Sequence, residues 1–160
     1  MLPVTRFVAL PAHAEQADKS VTHPRGFRAA GVAAGIKRSN RLDLGLLVSD
    51  EPCGSAAFFT RNAAVAAPVV LTRDLCACQR LRAVVVNSGN ANACTGSEGM
   101  HDALVMREQA AAALGVALEE VAVCSTGVIG EPMPIREVEA GIGMAAAKLS
   151  AAGGPRFAAA

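Results

Sequence analysis

The pattern of apolar and polar positions in the first half of the chain predicts a sheet. Apolar residues recur at every second position in LDLGLLVSD, residues 42–50, and small apolar residues alternate with glycine in GFRAAGVAAGIKR, residues 26–38. A period of two is typical of strands, so the turn at 39–41 between these segments predicts a hairpin. The short runs SAAFFT at 55–60 and PVVLTR at 68–73 predict two further strands.

The second half of the chain predicts alternating strands, loops and helices. The run AVVV at 83–86 predicts a buried strand, and a loop of small polar residues, 87–99, follows it. Apolar residues three, four and seven positions apart then predict a helix over 100–114. Gly115 is expected to end this helix, because glycine readily adopts the left-handed conformation found after a helix C-terminus.

A second strand and helix complete the predicted pattern. Residues 121–124 predict another buried strand, and Pro134 predicts the first position of a helix because its fixed φ suits the first helical turn. Apolar residues at helical spacing extend this helix to the Gly-Gly-Pro sequence at 153–155. We therefore expect an α/β domain over 25–160, preceded by an N-terminal segment at 1–24.

The charge and the cysteine content argue against several classes of function for this domain. Lys and Arg number 15 against 14 Asp and Glu, a net charge of +1, so no overall field favours nucleic acid or an anionic membrane. No apolar run reaches the roughly 18 residues that a membrane span needs. The five cysteines form no regular framework, which favours structural thiols in a reducing compartment. We expect a cytoplasmic protein that binds neither nucleic acid nor membrane.

The stretch CSTGVIG, residues 124–130, combines residue types that acyl transfer requires. A tetrahedral intermediate carries a negative oxygen, which is stabilised by hydrogen-bond donors aimed at it. Thr126 offers a hydroxyl donor, and Gly127 allows a carbonyl group to approach the main-chain N–H. The local sequence by itself is more typical of a strand end at which Ser125 and Thr126 cap the next turn.

The polar loop at 87–99 contains three asparagines, Asn87, Asn90 and Asn92. Asparagine in a glycine-rich turn commonly bonds to nearby main chain, so we expect these side chains to hold the loop rather than to contact a ligand. The glycine spacing matches neither a dinucleotide-binding nor a Walker loop, which makes phosphate binding a weak interpretation.

The remaining polar residues predict no second site. Thr95 and Ser97 precede His101 and Asp102 at the start of the predicted helix, which is more typical of a surface cap than of a catalytic triad. No ligand cluster predicts a metal site. A solvated role is expected for His13 and His23, and a turn or surface role for Asp43, Asp50 and Glu51.

Three motifs in order, GFRAAGVAAGIK, VVVNSGNANACTG and CSTGVIGEPMP, make the chain resemble the N-terminal part of the ornithine acetyltransferase family. The resemblance implies a bifunctional glutamate N-acetyltransferase of arginine biosynthesis with an N-terminal-nucleophile-like αββα sandwich. Such an enzyme cuts itself and frees a threonine, which carries acetyl from N-acetylornithine to glutamate. The resemblance also implies an oxyanion hole at Thr126 and Gly127, an α2β2 assembly with a C-terminal β-chain, and no cofactor, although acetyl-CoA could be a co-substrate.

The chain departs from the family pattern at its C-terminal end. It contains neither the family's Thr-Thr-Asp motif nor the Ala-Thr junction that is cut, so we expect an incomplete α-chain that is inactive alone. Two other functions stay open at this point. One is a non-catalytic module that binds a small ligand or phosphate at the start of the first predicted helix. The other is a self-cleaving aminopeptidase relative, since an oxyanion hole serves hydrolysis equally well.

Overall fold

A four-stranded mixed sheet organises residues 19–160, the part of the chain that the computed structural model describes. The strands are β1 (Phe27–Val32), β2 (Leu44–Ser49), β3 (Ala83–Asn90) and β4 (Val121–Val128), and they lie in this order across the sheet. The first two neighbouring pairs are antiparallel, and β3 and β4 are parallel. The expected mixed α/β class is confirmed. Most of the predicted N-terminal segment 1–24, with His13, lies outside the described residues.

Three helices cover one face of the sheet and enclose the core. They are α1 (Ala67–Leu75), α2 (Gly96–Leu114) and α3 (Ile135–Ala146). The strands contribute alternate aliphatic residues to this face, as their period of two requires. Large side chains of the core that are fully buried include Leu44, Leu46, Leu71, Val85, Met106, Val121, Val123, Val138 and Ile142.

A fourth helix, α4 (Gly154–Ala159), lies on the opposite face over β1 and β2. Two glycines make this close contact possible. A Cβ atom at Gly31 would lie 2.0 Å from the Arg156 carbonyl oxygen, and one at Gly45 would lie 2.8 Å from the Phe157 ring. Over β3 and β4 the same face carries exposed Cys124 and Thr126, and no helix of residues 19–160 covers them. None of the helices in that range has the length and apolarity needed to cross a membrane.

The predictions for the first half are only partly correct. The hairpin of β1 and β2 is confirmed, but 55–60 forms no regular structure and 68–73 lies within helix α1. The helix forms there because Pro68 occupies its first turn, where the missing N–H is harmless, and because Leu71 and Thr72 are buried against the sheet. Packing outweighs the weak strand preference of the β-branched residues.

In the second half, the predicted elements exist but their boundaries differ. Both parallel strands continue into the predicted loops, so Asn87 and Thr126 lie within strands. Gly115 caps α2 with a φ of 65°, as expected. Pro134 is the N-cap of α3 rather than its first residue. This helix ends at Ala146, well before 153–155, where the chain instead enters α4.

Candidate active site

The predicted pair Thr126 and Gly127 lies at the carboxyl end of β4, beside the end of β3. In the parallel register Thr126 neighbours Ser88, and Gly127 neighbours Gly89. Both Thr126 and Gly127 are exposed, whereas Val123, three residues earlier in the strand, is buried. The first three residues of β4 are therefore buried in the core, and the predicted pair lies in the exposed second half of the strand.

Glycine is required at position 127 by both its conformation and its surroundings. Its φ is 139°, in the region that L side chains rarely adopt. A Cβ atom there would lie 2.3 Å from the carbonyl carbon of Gly89 and 2.5 Å from the Asn90 nitrogen. Gly89 also has a positive φ, 107°, and the pairing shifts register at this point as a β-bulge. Two main chains thus meet closely at the end of the parallel pair.

The Thr126 hydroxyl has no hydrogen-bond partner among residues 19–160 and can therefore donate to a ligand. The neighbouring Ser88 hydroxyl donates to the Ala160 carbonyl oxygen, so the C-terminal end of α4 lies next to this edge. Helix α1 holds β4 in place on the other side, because the Thr72 hydroxyl donates to the Val123 oxygen and accepts from the Val123 nitrogen, both at 3.1 Å. The pair is exposed on a fixed strand.

The three asparagines of the 87–99 region behave as predicted, because each bonds to nearby main chain. Asn87 Nδ2 donates to the Asn90 oxygen at 2.9 Å, and Asn92 Nδ2 donates to the Gly99 oxygen at 2.8 Å. Asn90 donates to the oxygens of Glu131 and Pro132, both at 3.0 Å, and accepts from the Asn92 nitrogen at 2.8 Å. These side chains are scaffold that joins the end of β3 to the segment after β4.

A pair of buried polar atoms lies beneath the exposed pair. Asn87 and Ser125 are neighbours in the parallel register, on the face that packs against the helices. The Asn87 Oδ1 and Ser125 Oγ atoms are both buried without a hydrogen-bond partner among residues 19–160. Ser125 consequently does not cap the following turn, as one interpretation of the sequence had it.

An open groove of about 560 Å³ adjoins the strand ends, and we name it the β3–β4 groove. One part of its lining comes from the loop between β1 and β2, another from the ends of β3 and β4, and a third from the segment before α3. The lining residues are Ile36, Lys37, Arg38, Gly89, Asn90, Val128, Glu131, Pro132 and Pro134.

Asp43 corrects an expectation, because it is fully buried rather than a surface charge. Its carboxylate accepts hydrogen bonds from the Ala34 nitrogen at 2.6 Å and from the Lys37 nitrogen at 2.8 Å. A buried carboxylate needs such partners, and here it fixes the loop that lines the groove. The sequence signal was a lone Asp beside a glycine-rich loop, but its bonds run backwards by six and nine residues, which periodicity does not reveal. Asp50 and Glu51 are exposed, as expected.

The residues weighed as a triad do not assemble into one. Thr95 donates to Asn92 Oδ1 at 2.8 Å, and His101 is exposed. Asp102 is buried in α2, where desolvation and then the nearby Glu98 carboxylate raise its pKa above the ordinary value, against the opposing effect of His101. Among residues 19–160, His23 is exposed and no group of three His, Cys, Asp or Glu side chains could hold a metal.

All five cysteines are free thiols. Cys76 donates to the Val121 oxygen at 3.1 Å, which is a structural contact. Cys124 is on the same open face as Thr126, two positions earlier, and desolvation of its thiol raises its pKa above the ordinary value. A raised pKa keeps the thiol protonated at neutral pH, so Cys124 is a poor substitute for an activated nucleophile.

Sequence reasoning missed the cations of the groove. The sequence pattern places Lys37 and Arg38 only at the end of a strand, because more than 90 residues separate them from the Pro-rich segment that faces them across the groove. Gly89 carried a usable signal, since an isolated glycine in a strand pattern indicates a bulge or a close approach.

Two solved structures show the class of protein that this fold resembles. An ornithine acetyltransferase from Mycobacterium tuberculosis, solved in complex with ornithine, superposes with a TM-score of 0.84 at 46% sequence identity. The match covers 88% of this chain and 77% of that chain. The arginine biosynthesis bifunctional protein ArgJ of Bacillus halodurans gives a TM-score of 0.80 at 41% identity, over 88% of this chain and 74% of that one.

Sequence relatives place the chain within one family. A family model described as the ArgJ family matches residues 28–160, so the chain belongs to the ArgJ family. The arginine biosynthesis bifunctional protein ArgJ of Symbiobacterium thermophilum is 54% identical over 136 residues, and that of Rhodopirellula baltica is 51% identical over 138 residues. The resemblance drawn from three motifs is confirmed. The two matches cover 84% and 85% of this chain but only 34% of each relative. The chain therefore corresponds to a portion of these relatives.

Proposed function

We propose that this chain is the N-terminal part of an acetyltransferase in which Thr126 and Gly127 form the oxyanion hole. The proposal is supported by one observation above others: Thr126 and Gly127 lie in the exposed half of a strand whose first three residues are buried, and Gly127 has a φ of 139° that favours glycine. A strained, exposed donor pair on a fixed strand is what stabilising a developing charge requires.

In the proposed reaction, a threonine hydroxyl from outside these 160 residues attacks the carbonyl carbon of the acetyl group of N-acetylornithine. The carbonyl electron pair moves to oxygen, which accepts hydrogen bonds from the Thr126 hydroxyl and the Gly127 N–H. Collapse of the tetrahedral intermediate breaks the bond to nitrogen, and the leaving amine takes up the proton that the threonine hydroxyl gave up, which releases ornithine and leaves the acetyl group on the threonine oxygen. Glutamate then accepts the acetyl group through the same steps in reverse.

The proposal includes a partner for the uncovered face of the sheet. Val128 is 57% exposed and Ile129 is 65% exposed, next to exposed Cys124. In an N-terminal-nucleophile-like sandwich, a second sheet from a C-terminal β-chain would cover this face and bring the nucleophile to Thr126. Two such αβ units would form the α2β2 assembly. On this view the 160-residue chain alone transfers no acetyl group, which an assay with N-acetylornithine and glutamate checks.

The test is Thr126→Ala in a longer protein that carries this chain as its N-terminal part. Loss of one oxyanion donor is expected to lower kcat by about 10² to 10³, with KM for N-acetylornithine changed by only about threefold or less. Thr126→Ser should retain most activity because it keeps the hydroxyl. Ser97→Ala, which removes an exposed hydroxyl at the start of α2, is the matched control and should leave kcat unchanged. A Thr126→Ala enzyme with wild-type kcat would remove Thr126 from the site.

A further inference from the structure

Side chains, rather than another strand, hold the outer edge of β4. It is the last strand of the sheet, so only β3 pairs with its main chain among residues 19–160. On the outer side, the Thr72 hydroxyl of helix α1 donates to the Val123 oxygen and accepts from the Val123 nitrogen, both at 3.1 Å. The Cys76 thiol, directly after this helix, donates to the Val121 oxygen at 3.1 Å. We name these two side chains, Thr72 and Cys76, the α1 clamp.

The α1 clamp shows in which direction the main chain of β4 points. The N–H and C=O groups of alternate residues in a strand face the same side, so the main-chain groups of Val123 and Gly127 both face away from β3. The Val128 oxygen agrees with this alternation, because it accepts from the Ala91 nitrogen on the β3 side at 2.9 Å. The Gly127 N–H therefore lies on the same open edge as Val123, four residues further along.

The Thr72 hydroxyl bonds to the strand rather than to its own helix. A threonine within a helix commonly donates to a carbonyl oxygen of the preceding turn. Thr72 is buried, and its hydroxyl instead donates to and accepts from one residue of β4. A neighbouring strand would supply the same combination of a donor and an acceptor. One side chain of α1 thus replaces a further strand at this point of the sheet.

Val123 is the last residue of β4 that is bonded on both sides. At about 3.3 Å per residue, Thr126 and Gly127 lie about 10 and 13 Å beyond it. A small rotation of the strand about Val123 would move these two residues more than it moves Val123 itself. A misplacement of about 1 Å can lower the rate of an enzyme by about 100-fold, so the bonds at Val123 bear on catalysis at a distance.

We propose that Thr72 is a positioning residue for acetyl transfer, because its two bonds to Val123 fix the direction of β4 and so align the Thr126 hydroxyl and the Gly127 N–H on one oxygen. The inference rests on the proposed function, which takes this pair as the oxyanion hole. Thr72 is buried beneath the strand and acts only through it. Its loss should weaken binding of the transition state and leave binding of the substrate nearly unchanged.

The test uses the longer protein that carries this chain as its N-terminal part. Thr72→Val removes both bonds, and kcat for acetyl transfer from N-acetylornithine to glutamate should fall about tenfold, with KM changed by about twofold or less. Thr72→Ser keeps the hydroxyl and should restore kcat to within about twofold of wild type. Hydrogen–deuterium exchange of the peptide 121–130 should be faster in Thr72→Val and unchanged in Thr72→Ser, because only the first change removes the acceptor of the Val123 N–H.

A control variant separates positioning from a general loss of stability. Val48→Ala removes buried volume from β2 at the end of the sheet opposite Gly127, where Val48 pairs with Ala83. It should lower the melting temperature at least as much as Thr72→Val does, and leave kcat and the exchange of 121–130 unchanged. An equal loss of kcat in Val48→Ala, or wild-type kcat or exchange in Thr72→Val, would overturn the inference.

A double variant shows whether Thr72 acts through the predicted pair. In a Thr126→Ala background, Thr72→Val should lower kcat further by only about threefold or less, because one of the two donors that it aligns is already absent. A further loss as large as in the wild-type background would contradict the positioning role. Wild-type kcat in Thr126→Ala alone would instead count against the proposed function, and the role of Thr72 would then be decided by kcat and exchange in Thr72→Val.

Discussion

At the carboxyl end of β3, Asn87, Asn90 and Asn92 are buried and their amide groups bond to main chain, whereas in the neighbouring strand Thr126 and Gly127 are exposed. Both ends follow a short run of buried aliphatic residues, and both read as polar loops in the sequence. The difference lies in where the polar groups find partners. An amide whose nitrogen donates to main chain fixes a shape, and an exposed hydroxyl without a partner among residues 19–160 remains free to act on a ligand.

The largest expected effect comes from removing the close approach between the two strand ends. Gly127→Ala should lower the free energy of unfolding by about 3 kcal/mol, because a Cβ there meets the main chain of Gly89 and must adopt a disfavoured φ. Urea denaturation measures the loss. Gly143→Ala, at an exposed position of α3 where a Cβ meets nothing within 4 Å, should be neutral or slightly stabilising. Equal stabilities for the two variants would contradict the comparison.

A smaller loss is expected from the scaffold side. Asn90→Ala should lower the free energy of unfolding by about 1 to 2 kcal/mol, because the oxygens of Glu131 and Pro132 each lose a donor. The control is Asn62→Ala in an exposed turn, where the same change should cost about 0.5 kcal/mol or less. Thermal melts of both variants test this. An unchanged melting temperature for Asn90→Ala would show that this asparagine is not scaffold.

The smallest effect is expected where a buried hydroxyl has no partner among residues 19–160. Ser125→Ala removes an unpaired Oγ and should change the free energy of unfolding by about 0.5 kcal/mol or less. Thr72→Val in helix α1 provides the contrast, because that hydroxyl bonds twice to Val123 of the strand that carries Ser125, and its loss should cost about 1 to 2 kcal/mol. Chemical denaturation of both variants compares them directly. A larger loss for Ser125→Ala than for Thr72→Val would reverse the assignment.

The sequence predicts those parts of the fold that local patterns determine. The β1–β2 hairpin, the two parallel strands and the cap at Gly115 follow from periodicity and from glycine chemistry. Helix α1 does not, because its β-branched residues favour a strand, whereas its packing against β4 and α2 favours a helix. Where local preference and tertiary contact disagree, the contact decides.

The same division applies to the candidate site. Residue type made Thr126 and Gly127 candidates, and the resemblance to the ornithine acetyltransferase family implied their oxyanion role; that assignment stays a prediction. The groove was not predicted, because it forms from segments far apart in the chain, and because Asp43 orders its loop through main-chain contacts that no side-chain pattern records.

The position of α4 has a consequence for how the protein is made. Its Arg156 side chain donates to the Gly31 oxygen across 125 residues, and Ser150 pairs with Ala29 in an isolated bridge. A ribosome releases the N-terminal hairpin first, so β1 is exposed on its outer face until nearly all 160 residues have emerged. We expect a nascent chain stalled before residue 150 to expose this face to chaperones, and a chain stalled after α4 to protect it.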